Sequence, residues 1–280
     1  MEGKELFDKV SLKCSRLTTR SYSTSFSLGI LCLGKSLRDP IYSIYGFVRF
    51  ADEIVDTFHA YDKKLLLERF REETFRSIDE KISLNPILNS FQHTVNKYGI
   101  QPDLIEQFLH SMEMDLENKQ YTQAGFDEYV LGSAEVVGLM CLHVFCKNDR
   151  DGFEKLKPMA MRLGAAFQKV NFLRDLNADF VGMGRTYFPG VDFGALQEST
   201  KKKIEADIAE DFQEGYRGIQ QLPRGARFGV YVAYLYYMAL FKKIRNTPSE
   251  AVLKERIRIR NRHKFSILAF SYVKYQLNLI

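Results

Sequence analysis

Asp52 and Asp56 stand four residues apart, and so do Asp175 and Asp179. At about 100° of helical rotation per residue, each pair falls on one face of a helix, one turn apart. Two ionised carboxylates turned toward a low-dielectric interior are costly unless something positive joins them. A hard divalent cation such as Mg2+ suits them, because it binds through one or two carboxylates and completes its shell with waters and substrate phosphate oxygens.

The neighbours of each pair fit the same chemistry. Gln168, Asn171, Asp175, Asp179 and Gly164 share an arc of roughly 80° on a helix whose other sides are Leu163, Ala166, Phe167, Val170 and Leu173. Tyr45, Arg49, Asp52 and Asp56 lie within roughly 60° of one another in the same way. A single pair of acids at this spacing arises on many solvated helices. Two pairs on otherwise apolar helices point to metals on both sides of a cleft that holds diphosphate, with Arg49, Arg185 and the phenol of Tyr187 donating to its oxygens.

Helices must position these faces. Apolar residues recur at helical spacing along nearly the whole chain, and no stretch alternates with period two between hairpin turns. The expected fold is all-α, a single domain over residues 1–280 with roughly ten helices. Pro40 suits a first helical turn, Pro102 opens a helix, and Pro223 and Pro248 mark two later starts. Gly182, Gly184, Pro189 and Gly190 make a loop after a helix ending near Asp179.

Composition narrows the partners. Four cysteines without a CxxC pair fit a reducing, cytoplasmic setting. The beginning of the chain has no apolar leader, and the longest apolar stretch, Phe228 to Phe241, is too short to span a bilayer and reads as a buried helix. No histidine sits in a zinc-ligand spacing. The net charge of +5 suits an anionic ligand or membrane surface and falls short of a nucleic-acid footprint. The basic run 254–264 is the segment expected to touch the inner face of a membrane peripherally.

LGAAFQKVNFLRDLNAD, 163–179, followed by RTYFP, 185–189, resembles the second signature of the squalene/phytoene synthases, and YVLGSAEVVG, 129–138, resembles the first. RFADEIVD, 49–56, YSTSFSLG, 22–29, and MEMDLENKQY, 112–121, are similar to the family's RxADDxVD, SxSF and MDL segments. The resemblance implies a class I isoprenoid synthase with a central cavity that joins two prenyl diphosphates head to head through a cyclopropylcarbinyl diphosphate. It assigns Asp52, Asp56, Asn171, Asp175 and Asp179 to metal, Mg2+ or Mn2+. Arg49, Gln168, Asn171, Arg185 and Tyr187 would position diphosphate, Ser23, Ser25, Phe26 and Tyr45 would line the cleft edge, and Tyr129 would face the reacting centre with Arg49 and Asn171.

Two departures stand out against the family pattern: the first motif reads DEIVD, and Glu135 occupies a position where many relatives have a small residue. The similarity of YVLGSAEVVGLMCLHVF and SYVKYQLNLI to bacterial phytoene synthases implies geranylgeranyl diphosphate as substrate and phytoene as product, in carotenoid biosynthesis and without NADPH. Ala134, Gly138, Gly164 and Ala165 would leave room for long chains. The aromatic residues Phe26, Tyr45, Tyr129, Tyr234, Tyr236 and Tyr237 are candidates for stabilising a cation. Squalene or dehydrosqualene synthesis from farnesyl diphosphate is the alternative, and a non-catalytic membrane-associated assembly protein on the same fold is a more distant one.

Overall fold

The computed structural model describes residues 3–117, 120–177, 186–191, 196–254 and 256–276. Its regular elements are helical: α1 (Gly3–Tyr22), α2 (Thr24–Leu31), α3 (Lys35–Asp56), α4 (Lys63–Glu80), α5 (Pro86–Tyr98), α6 (Pro102–Met114), α7 (Gln123–Val130), a π turn (Leu131–Glu135), α8 (Val136–Phe145), α9 (Arg150–Asn177), α10 (Glu198–Gln221), α11 (Arg224–Arg245), α12 (Ser249–Val252) and α13 (Asn261–Gln276). The only β pairing among the described residues is an isolated parallel bridge between Gln120 and Thr186. The all-α expectation is met, with more and shorter elements than the ten read from the sequence.

The local signals explain most boundaries. Asp62, Asn85 and Thr122 accept hydrogen bonds from the first-turn amides of α4, α5 and α7, and Gly99 ends α5 at φ +63°. Pro102, Pro223 and Pro248 sit at helix starts as expected. Pro40 does not: α3 begins at Lys35, so the ring lies inside the helix. Its missing N–H removes one backbone bond, a loss set against the burial of Ile41, Ile44 and Phe47 on the same helix.

Phe47 centres the larger core, stacked on Phe91 with centroids 3.9 Å apart and flanked by Phe70 and Phe108. A second buried cluster gathers Tyr129, Phe172, Tyr187, Phe212 and Phe241, and Tyr234 packs against both. The helical stretch Gln123–Phe145 is long and apolar enough to cross a membrane by length and composition. Here it packs on α6 and α9, and a Cβ at Gly132 would lie 2.6 Å from the Gln107 carbonyl oxygen, so α6 can approach only a glycine there.

Candidate active site

A cavity of about 680 Å3 lies between α2, α3, α8, α9, α10 and α11. Arg49, Asp52 and Asp56 reach it from the C-terminal end of α3, and Gln168, Asn171, Arg174 and Asp175 from the C-terminal end of α9. The opposite end is apolar, formed by Leu142, Phe145, Leu156, Met159, Ile219 and Leu222. Tyr129 stands at the polar end and Phe145 at the apolar one, roughly 24 Å apart along the helical stretch at 1.5 Å per residue. The two faces predicted from helical angles therefore meet across one chamber.

Three acids, Asp52 and Asp56 of α3 and Asp115 after α6, crowd the polar end. Burial pushes the Asp52 carboxyl up to about 7, the like charges of Asp56 and Asp115 add to the rise, and Arg49 opposes it. Asp52 keeps 31% of its side-chain surface exposed, which opens into the cavity. Arg49 pairs with Glu53, lies 3.8 Å from Asp52 and sits 4.3 Å over the Tyr22 ring. The glutamate of DEIVD thus anchors the arginine of the same motif.

Asp115 is absent from the predicted site, although MDL is among the matched segments. It follows α6, is 6% exposed, and accepts a hydrogen bond from the Tyr129 hydroxyl at 2.6 Å and one from the Tyr187 hydroxyl at 3.5 Å. Burial, then the Asp115 charge, holds the Tyr129 phenol well above its ordinary value, so it remains a neutral donor. The Tyr187 phenol, expected to serve phosphate, is turned to this carboxylate. The Gln120–Thr186 bridge brings Tyr187 beside Tyr121, with centroids 5.9 Å apart.

Ring faces form two walls. Tyr129 and Tyr187 lie 5.3 Å apart, and Phe172 stacks on Tyr187 at 4.1 Å. Across the cavity Phe26 contacts Tyr45, Phe167 and Tyr237 at 5.7, 6.5 and 5.8 Å. Tyr237 also donates its hydroxyl to the Asn171 side-chain oxygen at 3.3 Å. Tyr234 and Tyr236 do not line the cavity; Tyr236 belongs to a small cluster with Phe228 and Val232.

Asp175 is held by two guanidinium groups. Arg174, its neighbour in sequence, contacts both carboxylate oxygens, and Arg256 places Nε 2.7 Å from Oδ1. Arg256 comes from the basic run expected to face a membrane. The carboxylates of Asp52, Asp56, Asp115 and Asp175 and the amide oxygens of Gln168 and Asn171 supply hard oxygen donors around one end of the cavity; this set fits a divalent cation of the Mg2+ type. Among the described residues no three acid, His or Cys side chains converge on one ion position. Asp179 and Arg185 lie outside the described residues.

Other expected residues divide by helix face. Ser23 lines the cavity and caps α2, its Oγ accepting from the Phe26 amide at 3.2 Å. Ser25 does not line it, because it lies roughly 100° round the helix from the face shared by Ser23, Phe26, Ile30 and Leu33. Ala134, Gly138 and Gly164 line the cavity, but a Cβ at Gly164 would sit 2.7 Å from the Ala134 oxygen and one at Gly138 3.0 Å from the Ala160 oxygen. Those glycines serve close helix packing as well as space, and Ala165 is buried away from the cavity. Glu135 is absent from the lining; its charged neighbours are Asp211, Lys169 and Arg162.

Comparison with known proteins bears on the family and the fold. The family model described as Squalene/phytoene synthase matches residues 19–263. Presqualene diphosphate synthase of Sinorhizobium fredii is 31% identical over 193 residues, covering 66% of this chain and 66% of that protein. The 15-cis-phytoene synthase of Synechococcus elongatus is 26% identical over 260 residues, covering 83% and 82%. The crystal structure of a dehydrosqualene synthase in complex with ligand superposes with a TM-score of 0.80 at 19% identity, covering 96% of this chain and 98% of that one, a likeness of fold. The chain spans between 58% and 66% of the length of several curated relatives it matches.

Proposed function

Because the chain belongs to the squalene/phytoene synthase family, whose members are prenyltransferases acting on prenyl diphosphates, we propose that it condenses two geranylgeranyl diphosphates head to head. The product would be phytoene, formed through a cyclopropylcarbinyl diphosphate without NADPH. The observation that carries this reading is an elongated cavity with acids, amides and arginines at one end and an apolar floor at the other.

The chain's own groups divide the work. Asp52, Asp56, Asn171 and Asp175, joined by Asp179, would hold Mg2+ or Mn2+, which neutralises charge on a departing diphosphate. Arg49, Gln168 and Arg256 orient the diphosphate oxygens, with Arg185 as a further donor. Ring faces of Tyr129, Phe172 and Tyr237 stabilise the allylic cation by roughly 0.5–2 kcal/mol each. Tyr129, kept neutral, holds its proton toward Asp115. Apolar side chains along α8 and α9 enclose the prenyl tails and exclude water. The protein works peripherally at a membrane, on the inner, cytoplasmic face, into which the hydrocarbon leaves.

A second reading has a specific observation behind it: relatives named presqualene diphosphate synthase are 31% and 27% identical, which favours the shorter farnesyl diphosphate. One assay separates the two. Purified protein is incubated with Mg2+ and either farnesyl or geranylgeranyl diphosphate, each with and without NADPH, and with EDTA as a control. A C40 hydrocarbon from the C20 substrate without NADPH supports the proposal. C30 products, or presqualene diphosphate, with the C20 substrate ignored would overturn the substrate and leave the reaction class. No metal-dependent product from either substrate would sink the enzymatic reading in favour of an assembly role.

A further inference from the structure

Helix α13 is apolar on two sides. Ile267, Leu268 and Tyr275 pack on Phe228, Val232 and Tyr236 of α11, and the Phe228 and Tyr275 rings stack at 4.8 Å. Turned away from that contact, Phe265, Phe270 and Val273 are 56%, 64% and 54% exposed, and Tyr272, which meets the Phe228 ring edge-on at 6.0 Å, is 53% exposed. At about 100° per residue, Phe265, Ala269, Tyr272 and Val273 share an arc of roughly 100°, and Phe270 borders it. A surface helix buries one apolar stripe; this second one stays more than half exposed at each of its large side chains. Four large apolar side chains within one short helix exceed the scattered exposure that is ordinary on a protein surface.

The charges beside the stripe identify the cover. Phe270 also borders an open groove of about 760 Å3 between α10, α11 and α13, with Met238 and Ile267 in its wall. Lys202, Lys242, Arg245 and His263 are exposed along this groove. Its two acids are engaged from within: Glu205 pairs with the buried Lys201 at 2.7 Å, and Glu198 accepts the Ser249 amide at 3.1 Å. Arg262 lies on the stripe itself and is exposed. A second copy meeting this face across a twofold axis would set cations against cations. An anionic bilayer takes the rings into its acyl boundary and the cations at its headgroups.

We propose that the outer face of α13 and the cation-rimmed groove beside it dock the protein on an anionic lipid bilayer. This rests on the peripheral reading above and shifts its contact from the middle of the basic run, where Arg256 pairs with Asp175 and Ile257 is buried, to the end of that run, Arg262 and His263, and the groove beside it.

The chain contains no tryptophan, so Phe270→Trp in the full chain introduces a lone fluorescent reporter. This variant is mixed with vesicles of phosphatidylcholine alone or with about one third phosphatidylglycerol. The expected result is a blue-shifted emission, quenched by brominated acyl chains, with the anionic vesicles. Phe265→Ser/Phe270→Ser and, separately, Lys202→Glu/Lys242→Glu should each weaken co-sedimentation about tenfold or more. Turnover of detergent-dispersed substrate should stay unchanged, since none of these residues lines the active cavity, and circular dichroism checks the fold. Wild-type binding that survives the double Phe substitution, or an indole emission that brominated chains leave unquenched, would overturn this surface while the peripheral reading stands. No wild-type binding at all would overturn both. A concentration-dependent dimer that the double Phe variant abolishes would assign the face to a second copy and overturn the lipid proposal.

Discussion

Arg256 reaches back from the segment after α12 and sets its Nε 2.7 Å from Oδ1 of Asp175, the carboxylate whose spacing offers it to a metal ion. The pair is partly open, with 48% of the Arg256 side chain and 19% of the Asp175 side chain exposed. Under the proposed function, a cation held this way would compete with a metal ion for Asp175 before substrate arrives and would turn to diphosphate afterwards.

Arg256→Gln should therefore have opposite effects on two measurements. A partly exposed ion pair contributes roughly 1 kcal/mol, so Mn2+ binding without substrate, followed by electron paramagnetic resonance of the free ion, should tighten about fivefold. Turnover should fall, because the diphosphate loses a donor. Unchanged or weaker Mn2+ binding would show that Arg256 does not compete for Asp175.

The Tyr129–Asp115 bond makes a second prediction. A hydrogen bond to a charged group contributes about 1.5–3 kcal/mol, so Tyr129→Phe and Asp115→Asn should each lower kcat/KM by about 10–100-fold. If the two act as one unit, the double variant should be little worse than the more damaged single variant. Multiplicative losses would mean that Asp115 acts elsewhere, for instance through Tyr187, whose hydroxyl also donates to it.

Legibility in the sequence followed the reach of helical arithmetic. Tyr45, Arg49, Asp52 and Asp56 lie on one helix, and Gln168, Asn171 and Asp175 on another, so spacing alone placed each set on a common face, and each lines the cavity. Asp115 and Arg256 lie outside regular helix, where no periodicity applies, and reach the cavity through tertiary packing. Ser25 and Ala165 failed for a different reason: a matched segment says which stretch is present, and only the local rotation says which side chain turns inward. The π turn at Leu131–Glu135 adds a residue to one turn and so rotates the face of α8 by roughly 100°. That is why Glu135 gave no clear direction from sequence, and it lies near Lys169 and Arg162, outside the cavity lining.

The Lys169 network behind the site should matter for stability. Lys169 Nζ lies 2.5 Å from Asp207 and 2.8 Å from Asp211, and Arg162 Nε lies 2.8 Å from Asp211, whose side chain is fully buried. Removing one partner of such a pair strands a buried charge at a cost of about 3–5 kcal/mol. Asp211→Ala should lower the free energy of unfolding in urea by the lower part of that range, about 3 kcal/mol, since Lys169 keeps Asp207 and the Arg162 side chain is 42% exposed. Asp207→Ala should cost about 1 kcal/mol or less, since the Asp207 side chain is 51% exposed. Equal losses would show that burial does not decide the balance here.

Chain length is best tested at Cys141. Enlarging Gly138 or Gly164 would drive a side chain into the Ala160 or Ala134 backbone and test helix packing instead. Cys141 lines the cavity on α8 one turn before Phe145, toward the apolar end, and burial alone pushes its thiol up to about 12. Each isoprene unit adds five carbons, worth about 4 kcal/mol when fully buried at roughly 0.8 kcal/mol per carbon. A tail that reaches this depth loses part of that contact when Cys141→Phe fills the space. Use of the C20 substrate, measured as kcat/KM, should fall by about 10²-fold or more, while the C15 substrate, if it is accepted, should change by about fivefold or less. Equal losses for both would place the new ring against a region that the two tails share. No loss for either would mean that prenyl chains do not extend to the Phe145 end of the cavity.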